Sequence, residues 1–113
     1  MARVARVPVI AAIPHTSEDL WLESKDLPFL SDVWPRSISA DHLRRVLTSI
    51  VYPPDGSQSQ LTSVLLTSPT RGDGKTTLAC SIAVALAQAN RRVLLVDLSY
   101  LRPGVEPHFG LDP

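Results

Sequence analysis

The sequence predicts an α/β fold, a partial parallel sheet with flanking helices in an incomplete three-layer α/β/α arrangement, on three observations. An apolar run, Val64-Leu65-Leu66, leads through a glycine-containing turn into a segment of helical character, Leu78 to Ala89. A second apolar run, Val93 to Val96, follows Arg91-Arg92 and ends on Asp97. Upstream, Ser39 to Val51 places apolar residues at helical spacing. Continuous apolar runs of this kind fit strands buried on both faces of a parallel sheet. Strands alternating with helices are the pattern of a layered α/β fold.

Each element has local grounds. Val7 to Ile13 is an apolar segment interrupted by Pro8 and closed by Pro14, which suits an extended or edge strand. Residues 14–38 contain Pro14, Pro28 and Pro35 and show no sustained periodicity, so residues 1–38 read as an irregular N-terminal segment. Trp21, Leu22, Phe29 and Trp34 are its expected packing anchors. From Ser39 to Val51, Leu43, Val46, Leu47, Ile50 and Val51 form one apolar helical face. Ser39 is the expected N-cap, and Asp41 complements the helix dipole in the first turn. His42, Arg44 and Arg45 fall off the apolar face and are expected in solvent. Tyr52-Pro-Pro-Asp-Gly ends the helix and opens a polar loop. The helix from Lys75 is apolar almost all round, with Leu78, Ile82, Val84 and Leu86 among alanines, as befits a helix packed closely on a sheet. Beyond Arg102 the chain is turn-rich, with no further element expected.

Composition limits the function classes. A chain of 113 residues is one small domain at most. Its 11 basic and 11 acidic residues balance, so net charge implies neither nucleic acid nor an anionic membrane as partner. The single cysteine, Cys80, excludes an internal disulfide and reads as a small core residue in a reducing compartment. No run approaches the roughly 18 apolar residues that cross a bilayer. The start carries arginines and a short apolar stretch, but Pro8 interrupts it and no small-x-small site follows, so a cytoplasmic chain is expected. His15, His42 and His108 lack metal-ligand spacing with one another or with Cys80, and no G-x-S-x-G turn is present.

The chemistry concentrates between Thr67 and Thr77. Strand, glycine turn and helix N-terminus, in that order, build a phosphate-binding (Walker A) loop. Its amides converge on one place, and the helix dipole favours negative charge there. Arg71, Gly72, Asp73, Gly74, Lys75, Thr76 and Thr77 are the expected nucleotide-binding residues. Lys75 would place charge on the phosphates of ATP, and the Thr76 hydroxyl would ligate Mg²⁺. Pro69 stands where the strict pattern has its first glycine, so the match is Gly72-x-Gly74-Lys75-Thr76 in context. Ligands of open α/β sheets gather at the carboxyl ends of strands, which makes Asp97 the candidate second metal residue and, with Lys75, the candidate catalytic pair. A capping or turn role for Asp97 stays open. Residues 39–113 are accordingly read as the N-terminal part of a P-loop nucleotide-binding domain.

With these residues in hand, the chain resembles the kinase domain of bacterial tyrosine kinases of capsule and exopolysaccharide synthesis. Pro8-Val-Ile-Ala-Ala-Ile-Pro14 is similar to that family's P-V-L-G-x-I-P. Asp41-His-Leu-Arg-Arg-Val-Leu-Thr-Ser-Ile50 is similar to its association motif E-A-F-R-x-L-R-T-N-I. Leu66 to Thr77 is close to its loop T-S-P-x-P-G-E-G-K-T-T, and Val93 to Pro103, with Phe109-Gly-Leu111 downstream, resembles V-L-L-I-D-A-D-L-R-R-P and F-G-L. The resemblance implies ATP with Mg²⁺, phosphoryl transfer to tyrosine, self-association through the Asp41–Ile50 helix, and a membrane polysaccharide chain-length regulator as partner at the inner face of the membrane. The related ATPases of plasmid and division-site placement carry an early loop lysine that would fall on Thr70, so the sequence speaks against that branch.

The departures shape the functional reading. Ser99 replaces the second acid of the family's D-x-D, Leu47 replaces the last arginine of the association motif, Arg71 replaces a loop proline, and Glu106 stands at a usual histidine. Neither the family's third nucleotide motif, an apolar strand ending in Asp, nor its tyrosine cluster is in the sequence. The expectation is an ATP-binding P-loop protein that is a truncated or degenerate copy with little or no catalysis. Two alternatives remain open: an active kinase working with partner subunits, and a small interaction module using the Ser39–Val51 helix.

Overall fold

The computed structural model describes residues 3–4, 7–15, 36–52, 56 and 61–111. The expected anchors Trp21, Leu22, Phe29 and Trp34 lie outside the described residues, as does most of the loop after Tyr52.

The chain begins with a minimal hairpin: β1 (Arg3–Val4) pairs antiparallel with β2 (Val7–Pro8), Arg3 opposite Pro8 and Val4 opposite Val7. The extended segment expected over Val7–Ile13 therefore enters a ladder only at its first two residues. Pro8 has no N–H to carry that ladder further. Val9, Ile10 and Ile13 remain exposed.

Helix α1 spans Ile38–Val51. Its N-cap is Ser37, whose hydroxyl accepts the Ala40 N–H at 3.0 Å, and not Ser39 as expected. Ser39 lies inside the first turn and is buried. Ser37 wins because its extended backbone puts the hydroxyl three residues ahead of an orphan amide, the geometry a cap requires. Asp41 and Arg45 form an exposed ion pair at 3.2 Å one turn apart, worth a few tenths of a kcal/mol at about 0.3–0.5. Arg44 and Arg45 face solvent as expected. His42 does not: it is half-buried, and its Nδ1 is buried with no hydrogen-bond partner among the described residues.

Helix α2 spans Lys75–Gln88. Asn90, at φ 59°, ends it in the left-handed conformation, and the Arg91 N–H returns to the Leu86 carbonyl at 3.1 Å. That six-to-one bond is a Schellman-type stop, and asparagine is among the few non-glycine residues that tolerate it. Helices α1 and α2 pack on one another, with Leu43 and Ile82 at the centre of the core and Val46, Leu47, Ile50, Leu66, Leu78 and Leu86 around them. Cys80 is wholly buried, as the core reading required. Burial pushes its thiol pKa up, with Asp97 adding to the effect, which keeps the sulfur protonated and unreactive.

One turn of helix, α3 (Val105–His108), packs on α2 where no element was expected.

The expected parallel sheet is not formed. Among the described residues the only ladder is the β1–β2 hairpin, and the runs Val64–Leu66 and Val93–Val96 carry no strand pairing. Leu66 packs on the α1–α2 core, whereas Val93 and Leu95 lie against Ala83, Val84 and Ala87 on another side of α2. The two runs thus lie near different residues of one helix, and no ladder joins them among the described residues. Both leave apolar side chains open: Leu65 is 81% exposed and Leu94 87%. What is built is a pair of packed helices flanked by two extended runs, in place of three layers.

Two substitutions rank the forces in this core. Leu43→Ala removes a buried side chain from its centre and is expected to cost about 2–5 kcal/mol. Ser37→Ala removes only the cap and is expected to cost about 1 kcal/mol. Denaturant unfolding of the full chain measures both, and a larger loss at Ser37 than at Leu43 would contradict this account of the core.

Candidate functional site

The turn from Thr67 to Gly74 is shaped by its own side chains. Gly72 and Gly74 adopt φ 82° and 81°, a region that L side chains rarely enter. Gly74 is the N-cap of α2, so the helix begins on Lys75 with no side chain over its first amides. Those amides are left to an incoming group. Ser68 donates to the Thr70 carbonyl at 2.9 Å. The Asp73 carboxylate turns back to accept the Thr70 hydroxyl and, at 3.3 Å, the Thr70 N–H. The Thr70 hydroxyl is the main cause that holds the Asp73 pKa below its ordinary value, with Lys75 contributing less. Asp73 therefore serves the loop's shape with its side chain, and offers an anion only its amide. Arg71 stands exposed on the rim.

Lys75 and Thr76 are half-buried and line a cleft of about 1450 Å³, which Asp97 and Ser99 also line. Three of the predicted residues, Lys75, Thr76 and Asp97, therefore share one cavity wall. Arg71, Gly72, Asp73, Gly74 and Thr77 do not line that cavity.

Asp97 is committed to the chain that follows it. Its Oδ1 accepts the Ser99 N–H at 2.8 Å, and its Oδ2 accepts Gly104 N–H at 2.8 Å and Val105 N–H at 3.1 Å. These amides, Gly104 first and then Ser99, lower its pKa to about 2. The open possibility of a turn role is thus realised. One carboxylate gathers the 98–105 loop, and Ser99, which replaces the family's second acid, contributes an amide where that acid would stand.

The gathered loop returns to the phosphate-loop helix. A Cβ on Gly104 would lie 3.2 Å from Thr76 Cγ2, so the Gly104 backbone rests directly against the threonine. His108 Nδ1 lies 2.6 Å from the Gly104 carbonyl, and its Nε2 lies 3.1 Å from the Thr77 hydroxyl. A carbonyl only accepts, so Nδ1 carries the proton; on the neutral ring Nε2 accepts and Thr77 donates. Ser68, Thr70, Gly104 and His108 were not read as site residues. The Pro103-Gly104 turn signal pointed to the loop, but nothing in sequence placed it against Thr76.

Among the described residues no group of histidine, cysteine and acidic side chains is arranged to hold a metal by itself. No described helix is long and apolar enough to cross a membrane.

Residues 64–100 match the family model of the CobQ/CobB/MinD/ParA nucleotide binding domain, an α/β domain of the P-loop class. The chain thus carries a nucleotide-binding P-loop region, and the loop and helix described above lie within the matched residues. Its relatives are bacterial tyrosine-protein kinases. It is 35% identical over 78 residues to tyrosine-protein kinase YwqD of Bacillus subtilis, covering 69% of this chain and 32% of that one. It is 25% identical over 111 residues to tyrosine-protein kinase ptk of Acinetobacter johnsonii, covering 94% of this chain and 15% of that one. It is 30% identical over 108 residues to EpsB of Ralstonia nicotianae, covering 96% of this chain and 14% of that one. The chain therefore spans about a third or less of the relatives it matches. No solved structure matches it.

The Asp97 joint has a pH signature. Its folded pKa of about 2 lies below the unfolded value of about 3.9, so the stabilisation is complete above pH ~4 and disappears as pH falls through the folded value. Asp97→Asn is expected to be less stable than the parent above pH 4, with the gap closing towards pH 2. Thermal melts of both proteins across that range measure it, and a gap unchanged down to pH 2 would remove Asp97 from this role.

Proposed function

We propose that the chain binds ATP with Mg²⁺ at the mouth of the cleft and has little or no phosphoryl-transfer activity of its own. The observation that carries this reading is the open first turn of α2 behind two left-handed glycines, with Lys75 and Thr76 on the cleft wall. The amides from Gly72 to Thr77 serve as donors to phosphate oxygens, and Lys75 supplies side-chain charge. Arg71 is placed to screen the anion from the rim.

The donor set fits Mg²⁺ in part. The Thr76 hydroxyl serves as one ligand, and Asp97 Oδ1, which accepts a single backbone bond, keeps capacity to hold a metal-bound water. When bound, Mg²⁺ neutralises charge on the phosphates. Lys75 and Asp97 are the catalytic candidates, but phosphoryl transfer relies on a full set of positioned charges. Here Asp97 has three acceptor positions committed to amides, and position 99 offers a serine. That supports binding over turnover.

The relatives are named tyrosine-protein kinases, which favours the second reading, an active kinase; partner subunits, among them a polysaccharide chain-length regulator at the membrane, belong to that reading and not to those names. The interaction-module reading is less well supported, since the apolar face of α1 is already packed on α2.

Calorimetry of ATP with and without Mg²⁺ tests the proposal. Lys75→Ala removes charged hydrogen bonds worth about 1.5–3 kcal/mol, and so is expected to weaken ATP by roughly 10- to 100-fold. Thr76→Ala should weaken binding only when Mg²⁺ is present. Unchanged affinity in Lys75→Ala would overturn the site.

Turnover is tested separately. Incubated with radiolabelled ATP, the parent chain is expected to acquire no more label than Lys75→Ala. Tyr52 and Tyr100 are both exposed and stand as built-in acceptors, so label on either, in the parent alone, would establish the active reading.

A further inference from the structure

The five glycines of the chain divide by what they do for the backbone. Gly56, Gly72, Gly74 and Gly110 take φ between 65° and 82°, and each has open space where a side chain would stand. Gly104 is the reverse case. Its φ of −122° and ψ of −11° lie in a region that residues with a side chain enter. The three atoms nearest to a Cβ placed on it, however, all belong to Thr76: Cγ2 at 3.2 Å, Oγ1 at 3.7 Å and Cβ at 3.8 Å. Position 104 needs glycine for the sake of Thr76 and not for its own conformation.

Gly104 has little freedom to draw back from the threonine. Its N–H donates to Asp97 Oδ2 at 2.8 Å, and the next amide, Val105, donates to the same oxygen at 3.1 Å. Its carbonyl accepts from His108 Nδ1 at 2.6 Å, and that ring is tied through Nε2 to the Thr77 hydroxyl at 3.1 Å. One polar group of Gly104 is thus anchored on the carboxylate that ends the second apolar run, and the other on α3, which packs on α2. The Thr76 backbone is fixed as well, being the second residue of α2. What remains to respond at this contact is the Thr76 side chain. Threonine carries its methyl and hydroxyl on one carbon, so the place of the methyl decides that of the hydroxyl, and in a helix two χ1 rotamers compete.

We propose that Gly104, held by Asp97 and His108, is a positioning residue: its backbone sets the Thr76 rotamer and so the direction of the hydroxyl offered to Mg²⁺. This rests on the ATP–Mg²⁺ reading of the site given above. The two residues that serve the metal in that reading then form one unit, in which Asp97 holds the glycine and the glycine aims the threonine. Metal ligands are ordinarily oriented by such supporting contacts, and losing one costs about 10- to 100-fold in metal affinity. Gly104 gives its support by shape alone. A glycine kept only for packing would predict lost stability on substitution and no selective change with Mg²⁺.

Gly104→Ala is the direct probe, since it adds one methyl at a backbone conformation alanine can adopt and presses it on Thr76. In the full chain, three-bond NMR couplings to Thr76 Cγ2 read χ1 without any nucleotide, and calorimetry reads ATP affinity with and without Mg²⁺. Gly104→Ala is expected to shift the couplings and to weaken Mg²⁺–ATP about tenfold. ATP without Mg²⁺ is expected to bind it as it binds the parent. Thr76→Ser removes Cγ2 and keeps a hydroxyl, so adding Gly104→Ala to Thr76→Ser is expected to cost nothing further relative to Thr76→Ser alone. His108→Ala frees the Gly104 carbonyl without adding an atom, and is expected to weaken Mg²⁺–ATP in the same selective way. It decides the question if circular dichroism shows Gly104→Ala to be unfolded, and parent affinity in His108→Ala would then overturn the proposal. Unshifted couplings, an equal loss with and without Mg²⁺, or an equal loss in the Thr76→Ser background would overturn the positioning role and leave the ATP reading standing. A parent chain whose ATP affinity does not respond to Mg²⁺ would overturn the metal reading and this role together.

Discussion

The Asp97 carboxylate is the joint on which the site depends. It binds three amides from two turns, Ser99 on one side and Gly104 and Val105 on the other, and so folds the chain after the second apolar run back towards α2. That return puts Gly104 against Thr76 and His108 against Thr77. The first turn of α2 is consequently held from outside by a segment more than twenty residues further along the chain. A carboxylate accepting several backbone N–H groups is strongly favoured in its ionised form, so the joint is set throughout the neutral range. Its demand on Asp97 is also the reason that this acid has less to offer a metal.

Helix α2 serves two purposes through different residues. Its first turn, Lys75 to Thr77, carries the anion-facing groups, while Leu78, Ile82 and Leu86 carry the core with Leu43 of α1. Cys80 and Ser81 fill the interior between them, and the Ser81 hydroxyl donates a hydrogen bond to the Thr77 carbonyl at 2.9 Å. The direction in which the loop amides point is thereby fixed by the packing of α1, although α1 lines only the far end of the cleft through Ile50 and Val51. Loss of the Leu43–Ile82 contact would loosen the site without touching a residue in it.

Local signals in the sequence were readable and long-range ones were not. The bounds of α1 and α2, the two loop glycines and the buried Cys80 follow from periodicity, φ requirements and size, all of which act within a few residues. The cap was displaced from Ser39 to Ser37 because both serines satisfy the composition rule and only the backbone of residue 37 supplies the geometry. His42 seemed a solvent residue by its helical angle, but it lies close enough to the buried face to lose its Nδ1 to the interior. Helix α3 was missed because the sequence beyond Arg102 read as turn-rich; Pro107 is tolerated because it lies in the first turn, where an N–H has no intrahelical partner to lose. The apolar runs at 64–66 and 93–96 were expected as strands, and neither carries strand pairing. Their pairing was misjudged, because apolar character reports burial preference and says nothing of which strand stands next to which.

That last distinction explains why the site is nearer to completion than the sheet. A phosphate-binding loop is assembled from short-range parts: two left-handed glycines, a carboxylate reaching back three residues to Thr70, and a helix whose own hydrogen bonds are local. Closing such a turn costs little chain entropy, and the cost grows only slowly with loop length. A parallel sheet is the opposite case, since each strand is separated from its neighbour by a crossover of a dozen residues or more and is rewarded only when that neighbour is in place. Both runs lie near helix α2, but no ladder joins them among the described residues. The energetic consequence falls on the runs, where Leu65 and Leu94 stay exposed, and much less on the loop.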